Sequence, residues 1–114
     1  MNNLHRYILD EDGEPVLEPD VLRWGQWFET HRRQSILAKT FIPGGREVLV
    51  STVFLGINHR FGSGGVGEPV LWETVVFGGA LDGEMRRYSS REAALAGHEE
   101  MVRAVREAEA KGQP

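Results

Sequence analysis

Residues 35–57 read SILAKTFIPGGREVLVSTVFLGI, two alternating, β-branched runs on either side of Pro43-Gly44-Gly45. Period-two alternation with a glycine-rich break is the signature of an antiparallel hairpin. With a three-residue loop, Ile42 is expected to face Arg46, Thr40 to face Val48, Ala38 to face Val50 and Ile36 to face Thr52. One side of the pair then carries Ile36, Ala38, Thr40, Ile42, Val48, Val50, Thr52 and Phe54, which is the expected core face. The other carries Leu37, Lys39, Phe41, Glu47, Leu49, Ser51, Val53 and Leu55, of which five are apolar. A sheet face open to water alternates to polar residues, so this second face is expected to be covered, by the N-terminal segment or by a second subunit.

Upstream, Pro19 and Asp20 open a helix over about residues 20–32. Val21, Leu22, Trp24, Gly25, Trp27 and Phe28 form its apolar stripe, and His31, Arg32 and Arg33 lie in the last turn, where cations suit the helix dipole. The segment YILDEDGEPV (Tyr7–Val16) holds an Asp12-Gly13 turn signal and predicts a hairpin or a strand leading into a turn. Downstream, VLWETVVF (Val70–Phe77) predicts a third strand, and Glu84–Tyr88 a short fourth. Ser89 and Glu92 have capping-box spacing before a helix of about residues 90–109. Its inward side would hold Ala94, Leu95, His98, Met101, Val102, Val105 and Ala108. The expected architecture is one α+β domain over residues 1–114. An antiparallel sheet of three to five strands has both helices on its Ile36/Val50/Phe54 face, with Trp24 and Phe28 as buried anchors. Residues 1–18 form an acidic N-terminal hairpin segment, and 111–114 a frayed tail.

Composition narrows the function classes. The 114 residues are 40% hydrophobic and 26% charged, ordinary values for one globular domain. The chain has no cysteine, which excludes disulfides, thiolate metal sites and thiol nucleophiles, and fits a cytoplasmic protein. No signal peptide or membrane span is apparent. The net charge of −4 is local: Asp10, Glu11, Asp12, Glu14, Glu18 and Asp20 are six acids with no base among them. Such a segment suits a solvated turn or a basic partner.

Gly62, Gly64 and Gly67 in FGSGGVGEP have G-x-G-x-x-G spacing. A dinucleotide loop leads from a strand into a helix whose N-terminus holds pyrophosphate, whereas a strand follows here. A kinase loop needs a lysine on the next strand, and the only lysines are Lys39 and Lys111. The loop is therefore expected to bind no nucleotide, and no cofactor is indicated. Glu73 interrupts an apolar strand, His98 lies on an apolar helix face, and Asn58-His59-Arg60-Phe61 precedes the glycines. His59, Glu73 and His98 would have to converge to form an acid/base pair or a metal site; their spacing matches no ligand motif. Arg86, Arg87 and Tyr88 form a basic, stackable patch, but the lysine-poor, acidic whole argues against a dedicated nucleic-acid binder. The helix–three strands–helix order resembles the double-stranded RNA-binding domain in topology only, since that family's lysine cluster at the start of its last helix is replaced here by Ser89-Ser90-Arg91-Glu92.

Three motifs in order, VSTVFLGINHRFG (Val50–Gly62), WETVVFGG (Trp72–Gly79) and RYSSREAALAGHE (Arg87–Glu99), follow the YILDEDGEPV start. Together they resemble a family of small uncharacterised proteins encoded by phages and prophages. The family more usually has Asp-His at Asn58-His59, and a shorter glycine loop. The resemblance implies a phage accessory gene without an assigned activity. With no recognisable catalytic set, an acidic segment and an apolar second sheet face, the expected function is non-catalytic binding of a host or phage macromolecule, a host or phage protein in the first place. On this reading Asn58, His59, Arg60, Phe61, Glu73, Arg87 and Tyr88 are candidate binding residues, and a homodimer through the second sheet face is expected. The alternative is a small hydrolase or metal-dependent enzyme using His59 and Glu73, and a second alternative is a protein that contacts nucleic acid through Arg86, Arg87 and Tyr88.

Overall fold

The computed structural model describes residues 5–44, 47–59 and 67–111. It is an α+β fold with two antiparallel sheets: a hairpin of β1 (Tyr7–Leu9) and β2 (Pro15–Leu17), and a four-stranded meander. The meander runs β3 (Ile36–Ile42), β4 (Val48–Phe54), β5 (Trp72–Phe77) and β6 (Met85–Tyr88) in sequence order. Helices α1 (Val21–Thr30) and α2 (Arg32–Ser35) lie between the sheets in sequence, and α3 (Arg91–Lys111) follows the meander. No helix among the described residues is long and apolar enough to cross a membrane.

The hairpin expected at Pro43 forms with a different register. Ile42 pairs with Val48, Thr40 with Val50 and Ala38 with Thr52, so five residues rather than three separate the strands. A two-residue offset moves every pair but preserves which side each residue faces, so the core face survives the error. Val48, Val50, Thr52 and Phe54 are all buried. Parity breaks at one place. A register shift between Ile36 and Ala38 sets Ile36 against Val53. This moves Leu37 into the Phe54 cluster and leaves Ile36 exposed, the reverse of the alternation read from sequence.

Helix α3 covers the core face of the meander. Its inward side carries Ala94, Gly97, His98, Met101, Val102 and Val105, while Leu95, expected inward, is exposed. The cap is Ser90 rather than Ser89: the Ser90 hydroxyl accepts from the Ala93 amide at 3.0 Å. The core splits into two apolar clusters. One joins Ile42, Val48, Val50 and Val76 to Met101, Val102 and Val105; the other joins Phe54, Leu71, Trp72 and Ala94.

Helix α1 extends the second cluster. Asp20 caps it by accepting from the Leu22 and Arg23 amides. One helix over residues 20–32 was expected, but the backbone turns at His31 (φ −123°, ψ 40°), so α2 is separate. The His31 Nδ1–H donates back to the Trp27 carbonyl at 2.9 Å, closing α1 with its own side chain. Trp24, Trp27 and Phe28 are half-buried rather than fully buried, because they dock at the end of the sheet and not across its middle. Trp24 Nε1 donates to the Gly56 carbonyl at 3.0 Å. Gly56 has φ +75°, and a Cβ there would overlap the Phe28 ring, so glycine is required for α1 to seat.

The N-terminal hairpin also docks at this end. Tyr7 N donates to the Gly56 carbonyl, Asn58 N donates to the His5 carbonyl, and Arg6 bridges to Ile57. Tyr7 and Leu9 pack against the Phe54 cluster, on the core side of the sheet. Tyr7 and Leu9 therefore leave the second sheet face bare, although the N-terminal segment was one of its two expected covers. Leu4 of that segment lies outside the described residues.

Candidate functional site

The residues singled out from sequence fall into separate places. Asn58 is a buried clamp: its Oδ1 accepts from the Val70 amide at 2.9 Å and so closes the base of the glycine loop. His59 turns back on its own chain, Nδ1–H donating to the Ile57 carbonyl at 2.7 Å. Arg60, Phe61, Gly62 and Gly64 lie outside the described residues; Gly67 leads towards β5, which pairs antiparallel with β4. The loop thus connects strand to strand.

Strand alternation divides the proposed basic patch. Arg86 points to the helix side, 3.8 Å from Glu100, while Arg87 points to the second face and donates to Glu73 at 2.9 Å. Tyr88 returns to the core beside Trp72, its hydroxyl buried and without a hydrogen-bond partner among the described residues. Gly97 makes this packing possible, since a Cβ there would overlap the Tyr88 ring. Glu73 and His98 lie on opposite faces of the sheet, so the set His59, Glu73 and His98 does not converge. Among the described residues, no group of three or more histidines, aspartates or glutamates is placed to hold a metal ion.

His98 belongs to a polar layer between the two apolar clusters. Its Nε2 is 2.8 Å from Thr40 Oγ1 and its Nδ1 is 2.7 Å from Thr52 Oγ1, while Thr52 in turn bonds Thr74. A neutral imidazole offers one donor and one acceptor, and hydroxyls can rotate to match either tautomer, so every polar atom in the layer has a partner. Burial lowers the His98 pKa, while the charge of Glu99 opposes the shift. In this window the unfolded chain binds more protons than the native one, so stability is fully present above the unfolded pKa and is lost as pH falls below about 6.5 towards the lowered native value. Thermal denaturation between pH 7.5 and 5.5 should show this loss, with a slope of at most about 1.4 kcal/mol per pH unit. His98→Gln, which keeps a donor and an acceptor, should flatten it.

Among the described residues no segment covers the second face of the meander, which is largely apolar. Phe41, Leu49 and Phe77 are cross-strand neighbours in one row. Lys39, Ser51, Val75 and Met85 form the next row, and Val53, Glu73 and Arg87 the third. Phe41 is 69% exposed, Phe77 52% and Met85 49%. The Glu73–Arg87 pair closes one corner of this surface and Lys39 marks one edge. Both aromatic side chains stand on the row nearest the Pro43 turn.

A cleft of about 830 Å³ lies at the other end of the molecule, between the N-terminal hairpin, the α1–α2 junction and the start of β3. Leu9, Val16, Trp27, Leu37 and Trp72 give it apolar walls, and Trp27 is stacked on His31 with ring centroids 4.7 Å apart. Asp10, Glu11, Gln34 and Arg91 stand on its rim. Sequence reading missed this cleft, although Trp27 and His31 at i,i+4 next to an acidic turn were its visible trace.

No protein-family model, curated protein or solved structure matches the chain.

Proposed function

We propose that this chain is a phage-type accessory protein that acts by binding a host or phage protein, without catalysis, in the host cytoplasm. The supporting observation is the uncovered apolar face around Phe41, Leu49 and Phe77, because contiguous exposed apolar surface costs free energy unless a partner removes it from water. The first partner in this reading is a second copy, which would bring identical faces together about a two-fold axis. The motif resemblance supports the phage assignment, and the absence of cysteine suits a reducing compartment. An enzyme acting through His59 and Glu73 would need both in one concavity; neither lines the large cleft or the smaller one beside it.

Leu49 sits in the middle strand pair of the face and is the residue to change. Light scattering at high micromolar concentration should give a dimer for the wild type and a monomer for Leu49→Glu. The variant's association should weaken at least about thirtyfold, the loss of one central hot spot. Circular dichroism should show its fold intact. A monomeric wild type moves the test to heterologous capture, where a host or phage protein retained by the wild type should be lost with Leu49→Glu. Capture that ignores the substitution overturns the role of this face.

A further inference from the structure

The large cleft is distinct from the open sheet face, and its chemistry specifies a ligand. It lies within the volume range of ligand sites, and it combines aromatic and aliphatic walls with a few polar groups at the rim, the usual composition of a binding site. Among the described residues the side chains of Glu11, Gln34 and Arg91 make no hydrogen bond or ion pair with another residue, so their polar groups are available. Asp10, by contrast, is used in the turn: its Oδ1 accepts from the Asp12 and Glu14 amides.

A second cleft of about 310 Å³ adjoins the first and shares Trp72 and Arg91 with it. The two form a trough beside the hairpin, a shape that suits an extended chain better than a compact small molecule. The second cleft adds Glu14, Glu68 and Glu92 to Asp10 and Glu11. Apart from Glu68, which has an interaction of its own, four acidic residues and one arginine thus line the two clefts, and no base occurs between Tyr7 and Leu22. The formal charge of this lining is negative, which favours a cationic occupant and disfavours an acidic one.

We propose that this trough is a docking site for an extended protein segment carrying an aromatic or aliphatic anchor beside a lysine or arginine. The anchor enters between Trp27, Leu37 and Val16, and the basic side chain meets Glu11 at the hairpin tip.

Selection of a random dodecapeptide display library on the immobilised full chain tests this. Enriched sequences are expected to pair a large apolar residue with an adjacent Lys or Arg. A synthetic copy of the best one should shift the Trp27 and Trp72 indole N–H resonances saturably, and weaken with added salt. Glu11→Gln, at an exposed and unengaged side chain, should weaken it about two- to fivefold, the effect of one exposed ion pair. Val16→Lys, at a position 39% exposed, sets a like charge in the groove and should weaken it at least about tenfold. The Leu49→Glu variant should bind the peptide as the wild type does, which separates this site from the open sheet face. No enrichment over the support alone, enrichment of acidic sequences, or binding indifferent to both Glu11→Gln and Val16→Lys would overturn the proposal.

Discussion

Phe54→Ala is expected to destabilise the protein by about 3–5 kcal/mol, a large part of the roughly 5–15 kcal/mol that holds a domain of this size folded. The Phe54 ring is 3% exposed and touches three others: Trp72 at 5.5 Å, Phe28 at 5.9 Å and Trp27 at 6.0 Å between centroids. Two of these belong to α1, a helix with no fully buried residue of its own. Truncation therefore removes the transfer energy of the ring and also the surface on which α1 sits. Urea denaturation should report the stability loss, and near-ultraviolet dichroism should lose the tryptophan signal before the sheet unfolds. Phe54→Leu, which keeps most of the volume, should cost less than about 1.5 kcal/mol. A Phe54→Ala protein as stable as the wild type would mean that α1 is not anchored there.

Gly78→Ala should be comparably damaging, at about 3 kcal/mol or more, although it adds a single methyl group. Gly78 has φ +91°, a region in which a side chain is strained by roughly 1–3 kcal/mol. A Cβ at this position would also overlap the Glu47 carbonyl oxygen. That obstacle is backbone, so relief requires β4 and β5 to separate where Leu49 pairs with Phe77. Faster amide hydrogen exchange at Val48–Val50 and Val75–Phe77 would locate the damage. Gly83→Ala provides the contrast, with a similar φ of +88° but open space around a Cβ, and should show the conformational cost alone. Equal losses in the two variants would refute the steric part of the argument.

Local periodicity carried much of the fold. Alternation in residues 35–57 identified both strands and their buried side, because side-chain direction depends only on parity. Register depended on the length of the connection, and Pro43-Gly44-Gly45 marked a turn without marking where pairing resumes. The irregularity at Ile36 and Ala38 carries no residue signal at all, since Ile36, Leu37 and Ala38 are all compatible with a regular strand. On α3, the apolar stripe showed that His98 faces inward. The threonines that satisfy it are up to 58 residues away and had no reason to be grouped from sequence. Arg86, Arg87 and Tyr88 formed one patch only on paper, because a strand sends neighbours to opposite sides. The cleft was the least legible feature, for its walls come from the hairpin, α1, β3 and β5, and nothing local announces their meeting.

Chain order has a consequence for biosynthesis. Every strand of the meander precedes α3, so a ribosome delivers residues 36–88 before the helix that covers their core side. During that interval the part of the core side that α3 covers faces water together with the second face, and the β3 and β6 edges are unpaired as well. Chains halted before Arg91 would thus present Val50 and Val76 alongside Phe41 and Phe77, the condition in which nascent proteins engage chaperones or aggregate. Thr40 and the cross-strand pair Thr52 and Thr74 interrupt that apolar surface with hydroxyls that water can solvate until His98 arrives.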